Sequence, residues 1–461
     1  MPRLNLFGSQ EKGLSVAINN QLSQNCYIVP SPRGRNNIAM VSSMGTALFS
    51  NTNGNMRGCH TLKDISYFVV GTSLFEIDAM GNFNDLGTIP GSDRVSITDD
   101  ATNLIIANGT NIGYYYNTIT STFSTVSFPA NAYTVSFLDT YIAFSSDDQR
   151  WYISEVGDSD SFNALDFASA IKSSDPLVAI FEDHSEFILF GEKTIEPWFN
   201  SANVDFAFSQ NTAGAMERGT YARFSIVKED NTLFFLGDDL LVYRLEGYQP
   251  IRISNDSTEN QLSDILKNGD KEDLQNAYGM VYTEHGHKFY QLTIPNQLTL
   301  VYNVATKEWH ENKHWDYKTH HAVCYCNAYG KHLIGALDGK VYEMSRNYYD
   351  DAGVTLRRLR RTNYYSIEDR IMHWKKIKFI FDFGTTEILT GQGSDPKVVV
   401  RWSYDSGKTW RNEKFIDLGV AGDYLAKAIR RNCGSSRNRL FEFYVTDPVP
   451  FFLIDAYAVI T

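Results

Sequence analysis

Short runs of aromatic and β-branched residues recur along this chain in pairs, each pair divided by a turn. Leu104–Ala107 with Tyr114–Tyr116 is one pair, and Phe187–Phe190 with Ile195–Phe199 is another. Similar pairs flank Gly71, Asp147, Gly237, Pro295 and Gly339. Val, Ile, Tyr and Phe favour a pleated surface, while Gly and Asp supply the backbone angles of tight turns. Seven turn anchors, Gly71, Gly109, Asp147, Gly191, Gly237, Pro295 and Gly339, stand 38, 38, 44, 46, 58 and 44 residues apart. Their mean spacing of about 45 falls near the ~40–45 residues of a four-stranded propeller blade. The pattern predicts an all-β chain built on a β-propeller of six or seven blades. Radial repetition would also protect the edges of so many short strands. A stacked pair of sheets with irregular spacing is the alternative.

Two stretches break the strand pattern. In Ser254–Ala277, Leu262, Ile265, Leu266 and Leu274 stand at helical offsets, which predicts one or two short surface helices between blades. Ser161–Ile171 is a second short helical candidate. Beyond Gly353 the charge changes sign. Residues 354–461 hold 18 Lys and Arg against 12 Asp and Glu, a net of +6, whereas residues 1–353 hold 24 against 42, a net of −18. Val398–Ser403, Leu440–Val445 and Phe451–Ile460 again read as strands. The expected organisation is an N-terminal arm over 1–57, ordered mainly by packing on something else, a propeller over 58–353 and a C-terminal β-sandwich-like domain over 354–461.

Composition narrows the function classes. With 43% hydrophobic and 14% aromatic residues, the 461-residue chain can bury a sizeable core, which excludes wholesale disorder. A formal charge of −12 argues against a protein that coats nucleic acid along its whole surface. Five scattered cysteines imply no disulfide framework and point to a reducing place of folding. No secretory leader is visible, and no run approaches the ~20 apolar residues of a membrane helix. No membrane insertion by this chain is expected.

The sharpest enzyme-like match is His310-Glu311-Asn312-Lys313-His314, with His320 where an extended zinc-protease pattern places a third histidine. That chemistry needs a helix, so that histidines one turn apart face one metal. The flanks read as strand and turn, and Tyr317 stands where the extended pattern needs glycine. His320, Cys324 and Cys326 would share one face of a strand, as soft metal ligands or as a buried strand with two thiols. Ser403, Asp405, Gly407 and Trp410 fit the Asp-box of sialidase-type propellers, a hairpin in which the aspartate caps the turn. Its residues are structural, and one box does not make an active site. Gly335–Lys340 only superficially suggests a phosphate loop. No catalytic constellation and no cofactor site emerge. Two arginine groups, Arg357, Arg358, Arg360 and Arg361, and Arg430, Arg431, Arg437 and Arg439, are candidate interface residues or a solvated face.

Other residues carry a resemblance. Phe167–Ala170, Asp175-Pro176, Phe190–Trp198, Gly214–Gly219 and Pro250–Ser254 occur in that order. Gly391–Pro396, the Trp402–Trp410 box, Leu418–Tyr424, Phe441-Glu442 and Thr446–Pro450 follow. Together they resemble the packaged-DNA stabilisation family of short-tailed bacteriophages, the head-completion, tail-hub or nozzle proteins, over about residues 55–460. Cys433–Ser436 is looser than the family's compact turn, and the N-terminal arm matches weakly.

The resemblance implies a virion tail protein and not an enzyme, assembled in the host cytoplasm. It implies a homohexameric ring below the portal and its adaptor that extends the DNA channel, helps retain the genome and allows its ejection. Tail fibres or spikes dock nearby, and a needle or plug closes the tube in some members. Phage DNA would pass without sequence-specific binding, and an acidic lining would let it slide. A glycan-binding or glycan-hydrolysing propeller is the alternative, and a zinc metalloprotease the remote one.

Overall fold

The computed structural model describes residues 3–8, 10–16, 18–30, 37–169, 175–382, 391–419 and 425–461. Its strands form a propeller joined to a sandwich. Among the described residues, six four-stranded meanders stand as separate sheets, five of them spanning 56–88, 96–127, 132–169, 177–210 and 227–252. In the remaining one, the strands of 322–345 take their fourth strand, Gly45–Ser50, from near the N-terminus. One more meander, 278–311, runs on into a larger sheet. Meanders that follow one another in the chain are neighbours, 177–210 meeting 227–252 through a shared apolar cluster, and Ala322–Ala328 meets Met56–Leu62. Among the described residues the circle therefore closes with seven blades, numbered in chain order from 56–88.

Every anchor read from the sequence lies at the turn between the second and third strands of a blade. Gly339 shows why one of them is glycine twice over. Its φ is +79°, and a Cβ there would sit 1.9 Å from the Gly54 carbonyl oxygen, where the chain crosses from the closing strand to the first blade. Gly191 has an ordinary φ, but an added Cβ would meet Asp175 Oδ2 at 2.3 Å. A second device recurs in alternate blades. Tyr152, Tyr243 and Tyr342 each donate a 2.7 Å hydrogen bond to the aspartate four residues earlier, Asp148, Asp239 and Asp338.

Apolar residues gather between blades, because each sheet buries both faces against its neighbours. Leu104, Ile106 and Tyr114 of the second blade pack on Tyr67, Val69 and Leu74 of the first. The seventh-to-first junction holds Cys324, Cys326 and Leu333 against Met56, Phe68 and Val70. Helices α1 (Asp256–Lys267) and α2 (Lys271–Gln275) fill the long gap in the repeat, burying Leu262, Ile265 and Leu274 against the fifth and sixth blades. Asn255 caps α1 by accepting from the Thr258 amide.

The helical expectation over Ser161–Ile171 is not met. Asp158–Ser169 is the outer strand of the third blade, and residues 170–171 lie outside the described residues. Phe162 packs on Phe128 and Phe144, and Phe167 on Tyr152, while Leu165 is 79% exposed. The apolar residues therefore satisfy a cross-strand contact and not a helical stripe.

Beyond the propeller, two sheets enclose one apolar core that includes Trp374, Phe379, Phe441 and Phe443. One sheet orders Ala426–Arg431, Met372–Asp382, Phe452–Ile460, Ile38–Ser42 and Cys26–Pro30. The other orders Asn20–Gln24, Arg358–Ser366, Asn438–Val445, Lys397–Ser403 and Lys414–Asp417. Strand Asn20–Gln24 also pairs in parallel with the outer strand of the sixth blade, Gln24 opposite Glu311, so one sheet runs from propeller into sandwich. Segments before residue 51 thus supply strands to both sandwich sheets and to the last blade. No helix among the described residues is long and apolar enough to cross a membrane.

Candidate functional site

The histidine motif lies on a strand. His310 and Glu311 end Glu308–Glu311 and therefore point to opposite sides. Glu311 accepts from Gln10 Nε2 at 2.9 Å and from Lys12. His310 is buried beside the rings of Tyr27 and Phe289, at 5.5 and 6.0 Å, and burial pushes its pKa down to about 3. His314 and His320 group instead with His321, which the motif did not include, at ring separations of 4.8 and 4.9 Å. Among the described residues no three His, Cys, Asp or Glu side chains are placed to hold one metal ion. A bulge between Ala322 and Cys324 also takes His320 out of phase with the cysteines. Cys324 and Cys326 meet Cys59 in the apolar junction, where burial pushes the Cys59 thiol well up.

The arginine groups divide. Arg358, Arg360 and Arg439 are at most 1% exposed and so belong to the interior rather than to an interface. Arg358 donates to the carbonyls of Val449 and Asp447, Arg360 to Ser23 and Gln21, and Arg439 to the Cys433 carbonyl. Arg439 also stacks on Trp374 and Trp402, 4.8 and 5.2 Å from their centroids. Burial pushes all three pKa values down to about 10. Arg357 and Arg361 turn to a buried carboxylate, Glu442, at 3.8 and 2.8 Å, and Arg401 completes the set. Arg430, Arg431 and Arg437 are exposed.

The Asp-box is the hairpin its sequence describes. Ser403 Oγ donates to Asp405 at 2.6 Å, and Asp405 accepts from the Thr409 amide and hydroxyl at 2.8 and 2.6 Å. These bonds, Ser403's first, hold the Asp405 carboxyl below the usual carboxylate range. Gly407 has φ +93°, and Trp410 lies under the guanidinium groups of Arg361 and Arg401. The hairpin sits in the sandwich, away from the propeller axis.

A cavity of about 1270 Å³ lies on that axis and is lined by residues from all seven blades. It opens on the face carrying the anchor turns, among them Gly109 and Pro295. The signature residues converge at its rim. Asp175 accepts from the amides of Lys193 and Thr194 and from the Thr194 hydroxyl at 2.8–2.9 Å, pinning the turn that follows Gly191. Gly219 packs so closely on Glu192 that a Cβ would meet its carbonyl carbon at 2.1 Å, and Thr220 donates to the Gly191 carbonyl at 3.0 Å. Lys193 and Arg218 both pair with Asp238, at 3.0 and 3.3 Å. Deeper in, Arg94 stacks on Tyr278 and Phe224, and Arg223 stacks on Tyr133. Neither was visible in the sequence, because isolated arginines between strands carry no spacing signal.

A propeller that runs through one shared sheet into a β-sandwich defines a two-part all-β protein. The chain belongs to the bacteriophage P22 Gp10 family: the model of that family's β-propeller matches residues 8–349, and the model of its β-sandwich matches residues 357–461. It is a phage tail-hub protein of the class that stabilises packaged DNA. The search of curated proteins returns no match. Among solved structures, the computationally designed Ika8 protein is 10% identical, with a TM-score of 0.41 over 73% of this chain and 98% of that one. The WD40 β-propeller domain of Doa1 is 12% identical, with a TM-score of 0.42 over 66% and 97%.

Proposed function

We propose that this chain is a non-enzymatic tail hub or nozzle that assembles as a homohexameric ring in the virion, below the portal and its adaptor. The ring extends the DNA channel, helps hold the packaged genome and lets it pass on ejection. The observation that carries this reading is the match of both domains to one phage family. The charge division supports it: a propeller region of net −18 repels phosphate and offers DNA little to grip, while a C-terminal region of +6 suits acidic neighbours in the tail. A glycan-active propeller loses its motive, since the Asp-box lies in the sandwich.

Mass photometry of the purified protein, alone and with the portal–adaptor complex, tests the assembly. Six-fold particles, or binding to that complex, are expected. A chain that stays monomeric and ignores the complex overturns the reading. For the channel, acidic residues that line the ring lumen, changed to lysine, should slow ejection, and unchanged kinetics would sink that part alone.

A further inference from the structure

The axial cavity holds two stacked guanidinium groups that no carboxylate among the described residues neutralises. Arg94 lies 4.3 Å from the Tyr278 ring centroid and donates from Nη2 to the Val323 carbonyl at 2.8 Å. Its Nε is buried and finds no acceptor. Arg223 lies 4.0 Å from the Tyr133 centroid. Among the described residues neither guanidinium reaches a carboxylate, and their electrostatic partners are only tyrosines and thiols. Burial pushes both pKa values down. At the rim, by contrast, Lys193 pairs with Asp238.

A desolvated cation without a counter-ion is costly, and the fold tolerates it where a ligand supplies the missing charge. Stacking satisfies the face of a guanidinium and leaves its edge N–H groups free, in the fork that matches an oxyanion. The cavity, about 1270 Å³, is larger than the ~300–1,000 Å³ of a small-molecule site, so it admits a stretch of polypeptide. Its lining interleaves Asp93, Glu192, Asp238 and Asp316 with Lys193, Lys271 and Lys318. Carboxylates spread among the basic groups repel the continuous charge of a dense polyanion such as nucleic acid, and they suit a chain that presents one or two carboxylates among neutral groups.

We propose that the axial cavity is a receptor for an acidic peptide segment of a neighbouring polypeptide, whose carboxylates pair with Arg94 and Arg223. The site is complete within one chain, so the proposal does not depend on ring assembly.

Fluorescence polarisation of a labelled Gly-Ser peptide carrying two glutamates on the full-length protein tests it, with inorganic phosphate and an oligothymidylate as competitors. The peptide should bind more tightly than about 1 mM, and Arg94→Gln and Arg223→Gln should each weaken it by about tenfold. Arg430→Gln, the same charge change on the exposed sandwich, should leave binding unaltered. In the unmutated protein the peptide should shield Arg94 and Arg223 from phenylglyoxal, read by mass spectrometry, which separates loss of the site from loss of the fold. Binding weaker than that limit, equal binding by the variants, or failure to shield overturns the proposal. Preferential protection of these arginines by phosphate or the oligonucleotide also overturns it, and would make the cavity a phosphate receptor.

Discussion

Arg358 and Arg360 show how a residue's neighbours decide its meaning. In sequence they belong to a dense basic run that reads as a surface, but two residues apart on a strand they point to one side. That side is closed by strand Asn20–Gln24 and by the turn around Asp447, more than 80 residues away, which no local pattern reveals. Arg94 and Arg223 were illegible for a different reason: stacking partners come from other blades and leave no spacing in the chain. The Asp-box, by contrast, was legible to the atom, because every group that it needs lies within a few residues. At this scale the three tyrosine–aspartate bonds give a simple expectation. Tyr152→Phe, Tyr243→Phe and Tyr342→Phe should each cost about 1 kcal/mol, and the effects should add, since the pairs lie in separate blades. Urea midpoints of the single and triple variants check this.

The buried histidines set the acid limit of the fold. His310 and His320 are pushed down to about 3 and His321 well below its ordinary value, in each case chiefly by burial. The unfolded chain binds protons at these sites near pH 6.5 and the folded one does not, so their stability is full above about 6.5 and drains as pH falls toward 3. Asp351 opposes them: burial raises its pKa to about 7, so its contribution is full below about 4 and is lost as pH rises to 7. Three groups outweigh one, and the melting temperature should fall between pH 7 and pH 5. His310→Gln should flatten that fall, and an unchanged slope would contradict the assignment.

Strands and blades were the most legible level. The second-to-third strand turn needs a special backbone angle or close approach, so it marks itself with Gly, Asp or Pro once per blade. The outer strand of the third blade did not, because its polar residues Asp158–Ser161 and Asn163 resemble a solvated helix as much as an edge. The pairing of early strands with late ones was invisible for the same physical reason as the arginine contacts: it is non-local. The sheet through Arg358–Ser366, Asn438–Val445 and Lys397–Ser403 is pinned across its face by Glu442, fully buried among Arg357, Arg361 and Arg401. Glu442→Gln leaves three guanidinium groups around a neutral amide and should cost about 3 kcal/mol. The loss should appear in the sandwich, as faster amide exchange in those strands, while the propeller blades keep their protection.

For the whole molecule, the change in the sign of charge near residue 354 was readable from composition, and the strands before residue 51 that join the sandwich were not. The partners were not, because an interface is chemistry shared with another chain. Arg430, Arg431 and Arg437 remain exposed once the interior arginines are removed from the basic group. Changing all three to Glu should leave the melting temperature of the isolated chain within a degree or two, as surface substitutions do, and weaken its association with tail partners. Mass photometry against calorimetry separates the two effects, and unaltered assembly would free this face of any docking role.

The closing strand has a consequence for synthesis. Gly45–Ser50 leaves the ribosome about 290 residues before its partner Val341–Ser345, a wait of roughly 15–60 s at bacterial elongation rates. Until then the nascent chain is an open arc with two unpaired edges, and the sandwich lacks the strands that come last. A chain arrested before residue 345 cannot be a smaller working version of the protein. It is a fragment with exposed edges, fit for proteolysis or aggregation, so quality control acts on the product as a unit.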